Sequence, residues 1–307
     1  MPKFSVVIPC YNAETTLAET LRSISAQICG SWEVICVDDG STDLTRSIVC
    51  DAASKDPRIK GVSNISKGPS SARNLGARVF ARGEIIAFCD ADDIWSPTKL
   101  SELDAAFKDP AVDGVFGKIA FFNNHPKDAT VFSTVPANDL TIPMLLGENP
   151  VCTMSNVAVR HSVFIASGGF NTDLVHNEDL EWLIRVVGGG ARVVGINACQ
   201  TYYRASPRGL SAELQNMARS REIAMQSAAQ FGFTPTATAD AIYLRFLARR
   251  ALRLGHGRVE AFKYALRGLC VSPAGFFSSP RRGALTLIGA FVSLFLPDRL
   301  NHFIFSR

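Results

Sequence analysis

The sequence predicts an α/β protein in which helices cover both faces of a mostly parallel β-sheet. Strand-like and helix-like segments alternate over the first hundred residues, and a basic, helix-like portion follows towards the C-terminal end. Such alternation is typical of parallel sheets, whose ligands bind at the carboxyl ends of the strands. The four apolar strand segments are residues 4–9, 32–38, 58–63 and 83–88.

Helical periodicity follows each of the first three strands. Two helices are predicted from apolar residues that recur at helical spacing: Leu17, Leu21, Ile24 and Ile28, then Leu44, Ile48 and Ala52. Ser70 or Ser71 is expected to cap a third helix over residues 72–80, because serine is a favoured N-cap residue. Each helix therefore connects two strands, as a parallel pairing requires.

The pattern is looser beyond residue 112. It predicts strands at residues 114–122 and 152–160, a helix at 177–187, and a last pair of strands at 191–196 and 200–205. From Leu214 onward the spacing of apolar residues is helical. We therefore predict a first domain of residues 1–213 and a helical extension of residues 214–307.

The C-terminal extension is strongly basic. Residues 240–307 carry eleven basic and three acidic side chains, a net charge of about +8 against about −4 for the rest. Its apolar run, residues 284–296, would span about 20 Å as a helix, whereas a bilayer core needs about 30 Å. We expect this run to lie in a membrane interface; a buried core helix or an oligomer contact is the alternative. Arginines set among apolar residues argue against a nucleic-acid partner.

The eight cysteines are scattered and contain no C-x-x-C pair, and no secretory signal peptide begins the sequence. This pattern predicts reduced thiols in a cytosolic compartment. With the basic extension, it predicts a cytoplasmic protein held peripherally at the inner face of the cytoplasmic membrane.

Three carboxylates, Asp90, Asp92 and Asp93, directly follow the fourth strand. Carboxylates gathered at a strand end repel one another, so a cation or hydrogen-bond donors must compensate them. Oxygen ligands favour a hard cation, Mn²⁺ or Mg²⁺. Asp90 and Asp92 project on the same side of an extended segment, and Asp93 is expected to brace the following turn. A solvated acidic turn is the alternative.

Several motifs occur in a fixed order: "VVIPCYN", "VDDGSTD", "GPSSARNLG", "FCDADD", "GGF" and "NEDLEWLIR". Over residues 3–210 this series resembles the family 2 glycosyltransferases, which have the Rossmann-like GT-A fold. The resemblance implies an inverting transfer of a sugar from a nucleotide-sugar, expected to be a UDP-sugar, to a hydroxyl of a glycan or polyprenyl-linked acceptor in cell-surface polysaccharide biosynthesis. The alternatives are a non-catalytic nucleotide-sugar binding protein and a sugar nucleotidyltransferase. The latter usually has a glycine-rich loop after the first strand, which this chain lacks.

The resemblance also assigns donor-binding residues. It implies that Asp39 contacts the uracil ring, and that Arg73 lies near the diphosphate, where an ion pair with Asp38 or Asp90 is the alternative. A plain turn carboxylate is the alternative for Asp39. The predicted nucleotide-binding residues are Pro9, Tyr11, Glu14, Asp38, Asp39, Arg73, Asp90 and Ala91. The predicted metal ligands are Asp92 and Asp90.

The family resemblance makes Asp179 the catalytic base, with Glu178 as its support or as an acceptor contact. A carboxylate that accepts the proton of the attacking hydroxyl accelerates transfer. A helix N-terminal acid, stabilised by the macrodipole, is the alternative. Residues 125–138 or 204–213 are expected to close over the donor. The candidate diphosphate or acceptor contacts are Trp95, Trp182 and Arg204.

Overall fold

The structure is a computed structural model, whose described residues are 1–204, 214–254 and 257–305. The chain forms two compact units: residues 1–140 with 150–204, and residues 141–149 with the described residues from 214 onward. The predicted boundary between residues 213 and 214 borders residues 205–213, which lie outside the described part. The sequence pattern did not predict that residues 141–149 belong to the second unit.

The first unit is built on one nine-stranded sheet. Its strands are β1 (Phe4–Cys10), β2 (Trp32–Asp38), β3 (Ile59–Ser63), β4 (Ile85–Phe88), β5 (Ile94–Trp95), β6 (Gly114–Phe122), β7 (Val131–Phe132), β8 (Val157–Arg160) and β9 (Val193–Arg204). The strand order is β3-β2-β1-β4-β8-β6-β9-β5, and β7 pairs with β6. The sheet is mixed, and β3, β2, β1 and β4 run parallel. This α/β architecture confirms the predicted fold class.

Strands β1, β2 and β4 are almost entirely buried, which explains their continuous apolar sequences. Because β3, β2, β1 and β4 run parallel, their carboxyl ends lie at the same edge of the sheet. Strand β8 continues the sheet antiparallel to β4, with Ile85 opposite Arg160 and Ala87 opposite Ala158. Extending this register places Ser155 beside Asp90, just beyond the end of β4.

The helices of the first unit are α1 (Leu17–Ser25), α2 (Thr45–Lys55), α3 (Pro69–Leu75), α4 (Lys99–Ala106), α6 (His161–Ala166) and α7 (Glu178–Gly188). A single π-helical turn, Gly76–Phe80, continues α3. Three residues predicted to face the core on α1, namely Leu17, Leu21 and Ile24, are buried. On α2, Ile48 and Ala52 are partly buried against the same core. Two predicted positions are wrong: Ile28 lies beyond α1 and Leu44 precedes α2, and they are 71% and 66% exposed.

Two further predictions of the sequence pattern are corrected. Helix α3 begins at Pro69, because proline suits the first helical position. Its N-cap is Gly68, whose φ of 97° favours glycine. The hydroxyls of Ser70 and Ser71 instead donate to the Leu174 carbonyl and to Asn64 Oδ1.

The predicted final pair of strands is the single strand β9. Its pairing with β6 shifts register between Phe116 and Ile119, so that two residues of β6 oppose five of β9. This irregularity includes residues 197–199, which separate the two predicted strands. Residue 205, the end of the predicted pair, lies outside the described residues. All eight cysteines lie among the described residues, and none of them forms a disulfide.

The second unit is helical in its described residues. It contains α5 (Ile142–Gly147), α8 (Leu214–Gln230), α9 (Ala237–Leu254), α10 (Arg258–Val271), α11 (Pro273–Phe276), α12 (Pro280–Ser293) and α13 (Asp298–Phe305). Its core is rich in alanine and packs around Phe276, which is fully buried. Small residues allow close approach of the helices: a Cβ on Gly275 would lie 2.7 Å from the Thr238 carbonyl oxygen.

Candidate active site

The acidic turn that follows β4 is clamped to neighbouring elements. The N–H of Asp93 donates to the Asp90 carbonyl at 3.2 Å and closes the turn. The hydroxyls of Thr16 and Thr20 donate to the Ala91 carbonyl at 3.0 and 3.1 Å. Ala91 thus joins the turn to α1 through its backbone, and the turn has a fixed position at the carboxyl edge of the parallel strands.

Arg73 bridges the acidic turn and the start of α7. Its Nη2 lies 2.7 Å from Asp90 Oδ1, and its Nη1 lies 3.0 Å from Glu178 Oε1. The side chain is only 6% exposed. Burial disfavours the charged guanidinium, but the two carboxylates outweigh this and raise the pKa of Arg73. Of the two predicted ion-pair partners, the structure selects Asp90 and adds Glu178.

Asp90 is further fixed by two hydroxyl groups from the segment before β8. Thr153 Oγ1 donates to Asp90 Oδ2 at 3.1 Å, and the Asp90 N–H donates to Ser155 Oγ at 2.8 Å. Both oxygens of the Asp90 carboxylate therefore accept hydrogen bonds from the protein. A ligand at this carboxylate would use its remaining lone pairs.

Asp92 makes fewer contacts with protein groups than Asp90 does. Within the described part of the chain, no ion pair involves its half-buried carboxylate. Burial, and then the charge of Asp90, raise the pKa of Asp92 to about 6. A divalent cation would favour the ionised form of such a pair. Asp93 is completely buried, and its carboxylate accepts the Arg204 N–H at 3.0 Å.

The acidic pair fits a divalent cation only with help from a ligand. Among the described residues, no three His, Cys, Asp or Glu side chains are grouped as a metal cage. Mg²⁺ is commonly held by one or two carboxylates together with substrate phosphates. Asp92, with Asp90 beside it, would supply such a half-site, and the donor diphosphate would supply the rest.

Asp179 is the second residue of α7, which begins after Asn177 in a left-handed conformation (φ 56°). Burial, and then the charge of Glu178, raise its pKa to about 7, although the Leu180 N–H and Arg73 oppose the shift. The Leu180 N–H lies 2.7 Å from Asp179 Oδ1. A carboxylate with a pKa near neutrality suits general-base catalysis. Glu181, the third acid of this turn, is instead paired with Arg185 at 2.7 Å.

The two adjacent aspartates that end β2 differ in their contacts. Asp38 accepts Arg46 Nε at 2.6 Å and the Ser41 N–H at 3.2 Å. Burial raises its pKa, but these hydrogen bonds outweigh burial and leave the pKa below its ordinary value. Asp38 is therefore held by its own loop, and its assignment as a nucleotide contact stays a prediction.

Asp39 lies at the tip of the strand. Its carboxylate accepts Asn64 Nδ2 at 2.7 Å and the Gly68 N–H at 2.9 Å. These bonds link the end of β2 to the start of α3, and they fix the direction of both oxygens. The prediction that Asp39 contacts the base is compatible with this half-buried position.

The loop that follows β1 contributes the exposed ring of Tyr11 and the capping carboxylate of Glu14. Tyr11 is 60% exposed, and Lys67 Nζ lies 6.0 Å from its ring centroid. Glu14 accepts the Leu44 N–H at 3.0 Å and thereby caps the start of α2. Pro9 lies within β1, opposite Val37. Tyr11 is thus the side chain of this loop that is most available to a ligand.

Two predicted ligand contacts belong to the core instead. Trp95 and Trp182 are 2% and 0% exposed. Trp95 Nε1 donates to the Ser155 carbonyl at 3.0 Å, and Trp182 packs against Phe170 with ring centroids 4.8 Å apart. Neither ring has a face accessible to a sugar. Both tryptophans support the site from behind, and their assignment as diphosphate or acceptor contacts is corrected.

Arg204 does lie beside the acidic turn. Its Nε donates to the Asp92 carbonyl at 3.0 Å, and its Nη2 lies 2.6 Å from Glu19 Oε2. The guanidinium is also 4.6 Å from the ring centroid of Phe122. A cation in this position can approach a phosphate next to Asp92. The lid predicted at residues 204–213 lies, after Arg204, outside the described residues.

Several partners of the site were not identified from the sequence, among them Glu19, Asn64, Thr153 and Ser155. Asn64 directly follows β3. Its position at the carboxyl edge, beside Asp39, could therefore have been predicted from the strand pattern. Thr153 and Ser155 reach Asp90 only through antiparallel pairing of β8 with β4. No local pattern of residues indicates that pairing.

The sequence model of glycosyl transferase family 2 matches residues 5–168. A protein of Nostoc sp. described as an uncharacterized glycosyltransferase is 33% identical over 167 residues, which is 52% of this chain and 52% of that protein. WfgD of Escherichia coli, a UDP-Glc:alpha-D-GlcNAc-diphosphoundecaprenol beta-1,3-glucosyltransferase, is 29% identical over 209 residues, 67% of this chain and 79% of that protein. This chain therefore spans about half the length of the Nostoc relative.

Solved structures share the fold. TarS residues 1–349 of S. aureus, in complex with UDP-GlcNAc, has a TM-score of 0.58 and 19% identity, covering 94% of this chain and 79% of that one. The mannosyltransferase PcManGT of Pyrobaculum calidifontis, in complex with GDP-Man and Mn²⁺, has a TM-score of 0.61 and 22% identity, covering 99% and 84%. These likenesses confirm the GT-A fold. Because the family match covers more than half of the sequence, the chain belongs to glycosyl transferase family 2.

Proposed function

We propose that this glycosyltransferase transfers a sugar from a UDP-sugar to a hydroxyl of a glycan or polyprenyl-diphosphate-linked acceptor, with inversion at the anomeric carbon. One observation carries the proposal: Arg73 contacts both Asp90 and Glu178. This bridge ties the acidic turn, which suits the donor diphosphate, to the first turn of α7. Asp179, whose pKa is raised to about 7, lies in that turn.

Asp179 would accept the proton of the acceptor hydroxyl while the hydroxyl oxygen attacks the anomeric carbon. The bond from that carbon to the diphosphate oxygen breaks on the opposite face, and the anomeric centre is inverted. The transition state resembles an oxocarbenium ion, as in glycoside hydrolysis. Glu178, held by Arg73 at 3.0 Å, keeps the start of α7 in register with the donor site.

At the donor end, Asp39 and Tyr11 would contact the nucleoside, and Arg204 would face the diphosphate. Mn²⁺ or Mg²⁺ would be held by Asp92 with Asp90 and would neutralise the leaving group as a Lewis acid. Arg73 keeps Asp90 in position and offsets part of its charge. The residues present thus provide a base, a half-site for a cation, and positive charge around the leaving group.

The donor and acceptor classes are supported by the relatives. WfgD is named for a UDP-Glc donor and a diphosphoundecaprenol-linked acceptor, and the TarS structure contains UDP-GlcNAc. PcManGT, in contrast, binds GDP-Man. Thermal melting with Mn²⁺ and each of these three donors tests which nucleobase the enzyme recognises, because a ligand of the folded state raises the melting temperature. Stabilisation without sugar release, in the presence of an acceptor, would instead favour the non-catalytic binding protein.

The acidic turn provides a direct test of metal dependence. We expect Asp92→Asn to lower Mn²⁺-stimulated transfer by about 100-fold or more, since Lewis-acid stabilisation is worth several kcal/mol. Turnover is measured over a Mn²⁺ titration, for wild type and variant, with chelated enzyme as the baseline. Asp51→Asn, which removes an exposed carboxylate from α2, is the control. Wild-type turnover that survives complete chelation would contradict the proposed role of Asp92.

We also propose that the enzyme binds the cytoplasmic membrane peripherally through α12. Four apolar side chains on this helix and just beyond it are more than half exposed: Leu285, Ile288, Phe291 and Phe295. Arg281, at the start of the helix, is exposed too. Among the described helices, none is both long and apolar enough to span a bilayer. An exposed apolar face beside basic residues is typical of an interfacial helix.

Replacing Ile288 and Phe291 with serine should therefore reduce binding to vesicles that contain an acidic phospholipid by about tenfold or more, because each removed side chain contributes about 1.5–3 kcal/mol when buried. The matched control replaces Ile28 and Ile65, exposed on the first unit, with serine. Vesicle sedimentation compares the two. Equal binding by both double variants and wild type would exclude α12 as the membrane contact.

A further inference from the structure

The carbonyl oxygen of Ser155 accepts hydrogen bonds from three different elements of the first unit. Trp95 Nε1 lies 3.0 Å from it, Lys99 Nζ lies 2.8 Å and Thr201 Oγ1 lies 3.1 Å. These donors come from β5, from the start of α4 and from β9. A carbonyl oxygen has two lone pairs, so three donors around it leave Ser155 little freedom to move.

Lys99 is the donor that is hardest to place at this carbonyl. Its side chain is completely buried, and lysine is rarely buried without an acidic partner. Within the described residues, Nζ contacts no carboxylate; it donates to the Ser155 carbonyl and, at 3.0 Å, to Thr201 Oγ1. Lys99 is also the first residue of α4, where the macrodipole disfavours a positive charge. A methionine would fill the same space without either disadvantage, so packing does not explain a lysine at this position.

The same serine holds the acidic turn. Ser155 Oγ accepts the Asp90 N–H at 2.8 Å. The Ser155 N–H donates to Thr153 Oγ1 at 3.4 Å, and Thr153 Oγ1 donates to Asp90 Oδ2 at 3.1 Å. Ser155 thus connects the donors behind it to both the backbone and the carboxylate of Asp90. A shift of the Ser155 carbonyl would therefore move the contacts of Asp90 as well.

We infer that Lys99 is a positioning residue of the donor site: it fixes Ser155, and Ser155 fixes Asp90. Because Lys99 is completely buried, it acts through Ser155 and not on a ligand directly. Residues behind a metal ligand orient that ligand, and their loss typically weakens metal binding by about 10- to 100-fold. That Asp90 serves a cation and the donor diphosphate rests on the proposed function. That Lys99 fixes Asp90 does not.

The first measurement needs neither metal nor donor. Lys99→Met removes Nζ and keeps an apolar side chain of similar length. The Asp90 N–H should then exchange with solvent deuterium about two- to tenfold faster, the effect expected for loss of one hydrogen bond behind its acceptor. Exchange followed by NMR in metal-free protein measures this rate against the amides of the buried strand β2. Equal acceleration at Asp90 and in β2, or none at Asp90, would overturn the inference.

The matched control is Lys60→Met. Lys60 Nζ pairs with Glu33 at 3.3 Å, so this variant also removes a lysine with a protein partner from the first unit. The wild-type ratio between the exchange rates of Asp90 and β2 should be kept. The same rise at Asp90 in both variants would overturn the inference, because the effect would then not depend on Lys99.

The second measurement is the affinity for Mn²⁺ in the presence of UDP, obtained from the signal of free Mn²⁺ in electron paramagnetic resonance. Lys99→Met should weaken the affinity by about tenfold or more, and Lys60→Met should leave it unchanged. Ser155→Ala, which removes the acceptor of the Asp90 N–H, should weaken it too. The double variant, Lys99→Met with Ser155→Ala, should lose less than the product of the two factors, because both substitutions break one connection. Losses that multiply would overturn the inference.

A third variant applies if Lys99→Met melts too early to be measured. Thr201→Val removes another donor of the Ser155 carbonyl and leaves Lys99 in place. It should accelerate exchange of the Asp90 N–H and weaken Mn²⁺ binding by about threefold, and no change in either quantity would overturn the inference. If the wild type itself binds no Mn²⁺ with UDP, the proposed cation site fails. The exchange rate of the Asp90 N–H then decides by itself whether Lys99 positions this residue.

Discussion

Asp179→Asn should lower sugar transfer by about 100- to 10,000-fold and leave the affinity for UDP nearly unchanged. Asparagine has almost the same shape as aspartate, but it cannot take a proton from the acceptor hydroxyl. The acidic turn is left intact, since Arg73 holds Asp90 at 2.7 Å independently of Asp179. Steady-state transfer and calorimetric titration with UDP and Mn²⁺ measure the two quantities separately.

The pH dependence of the wild type gives this experiment a second readout. A general base works in its deprotonated form, and the pKa of Asp179 is raised to about 7. We therefore expect kcat/KM to fall as the pH decreases through about 7, and to level off above it. The control Asp173→Asn, an exposed carboxylate before α7, should keep both the rate and the profile. An Asp179→Asn enzyme with normal turnover would remove the base assignment.

The strand ends of the site could be predicted because they depend on local pattern. Residues 4–9 and 32–38 are continuous apolar runs, and such runs are typical of strands buried on both faces. Parallel strands end at one edge of the sheet, so Asp39 and Asp90 could be placed at that edge before any contact was known. The position of the arginine in "GPSSARNLG" near the donor diphosphate was instead implied by the family resemblance.

The partners that complete the site depend on pairing between distant segments. Thr153 and Ser155 contact Asp90 only because β8 runs antiparallel to β4, and 63 and 65 residues separate them along the chain. The assignment of Trp95 to a ligand failed for a similar reason. Its position after the acidic turn suggested exposure, but the pairing of β5 with β9 turns the ring into the core. Sequence pattern places strand ends; it does not determine which side chains of later strands cover them.

Arg73→Ala should lower the free energy of unfolding by about 3–5 kcal/mol, because removal of one partner of a buried ion pair leaves the other charge uncompensated. Here two carboxylates lose their cation, Asp90 at 2.7 Å and Glu178 at 3.0 Å. Urea denaturation followed by tryptophan fluorescence measures the change. Arg22→Ala, an exposed arginine on α1, is the control and should change stability by less than about 0.5 kcal/mol.

The same substitution should move the pH profile of the enzyme that remains folded. Arg73 lowers the pKa of Asp179, so without the guanidinium the base becomes harder to deprotonate and the midpoint of kcat/KM shifts to higher pH. A double variant, Arg73→Ala with Glu178→Gln, should recover part of the lost stability, because it also removes a carboxylate that has no cation. The coupling energy of the pair is the amount by which the destabilisation of the double variant falls short of the sum of the two single variants. If the double variant is as unstable as the sum of its single variants, Arg73 and Glu178 act independently. The bridge between the acidic turn and α7 is then not what positions Asp179.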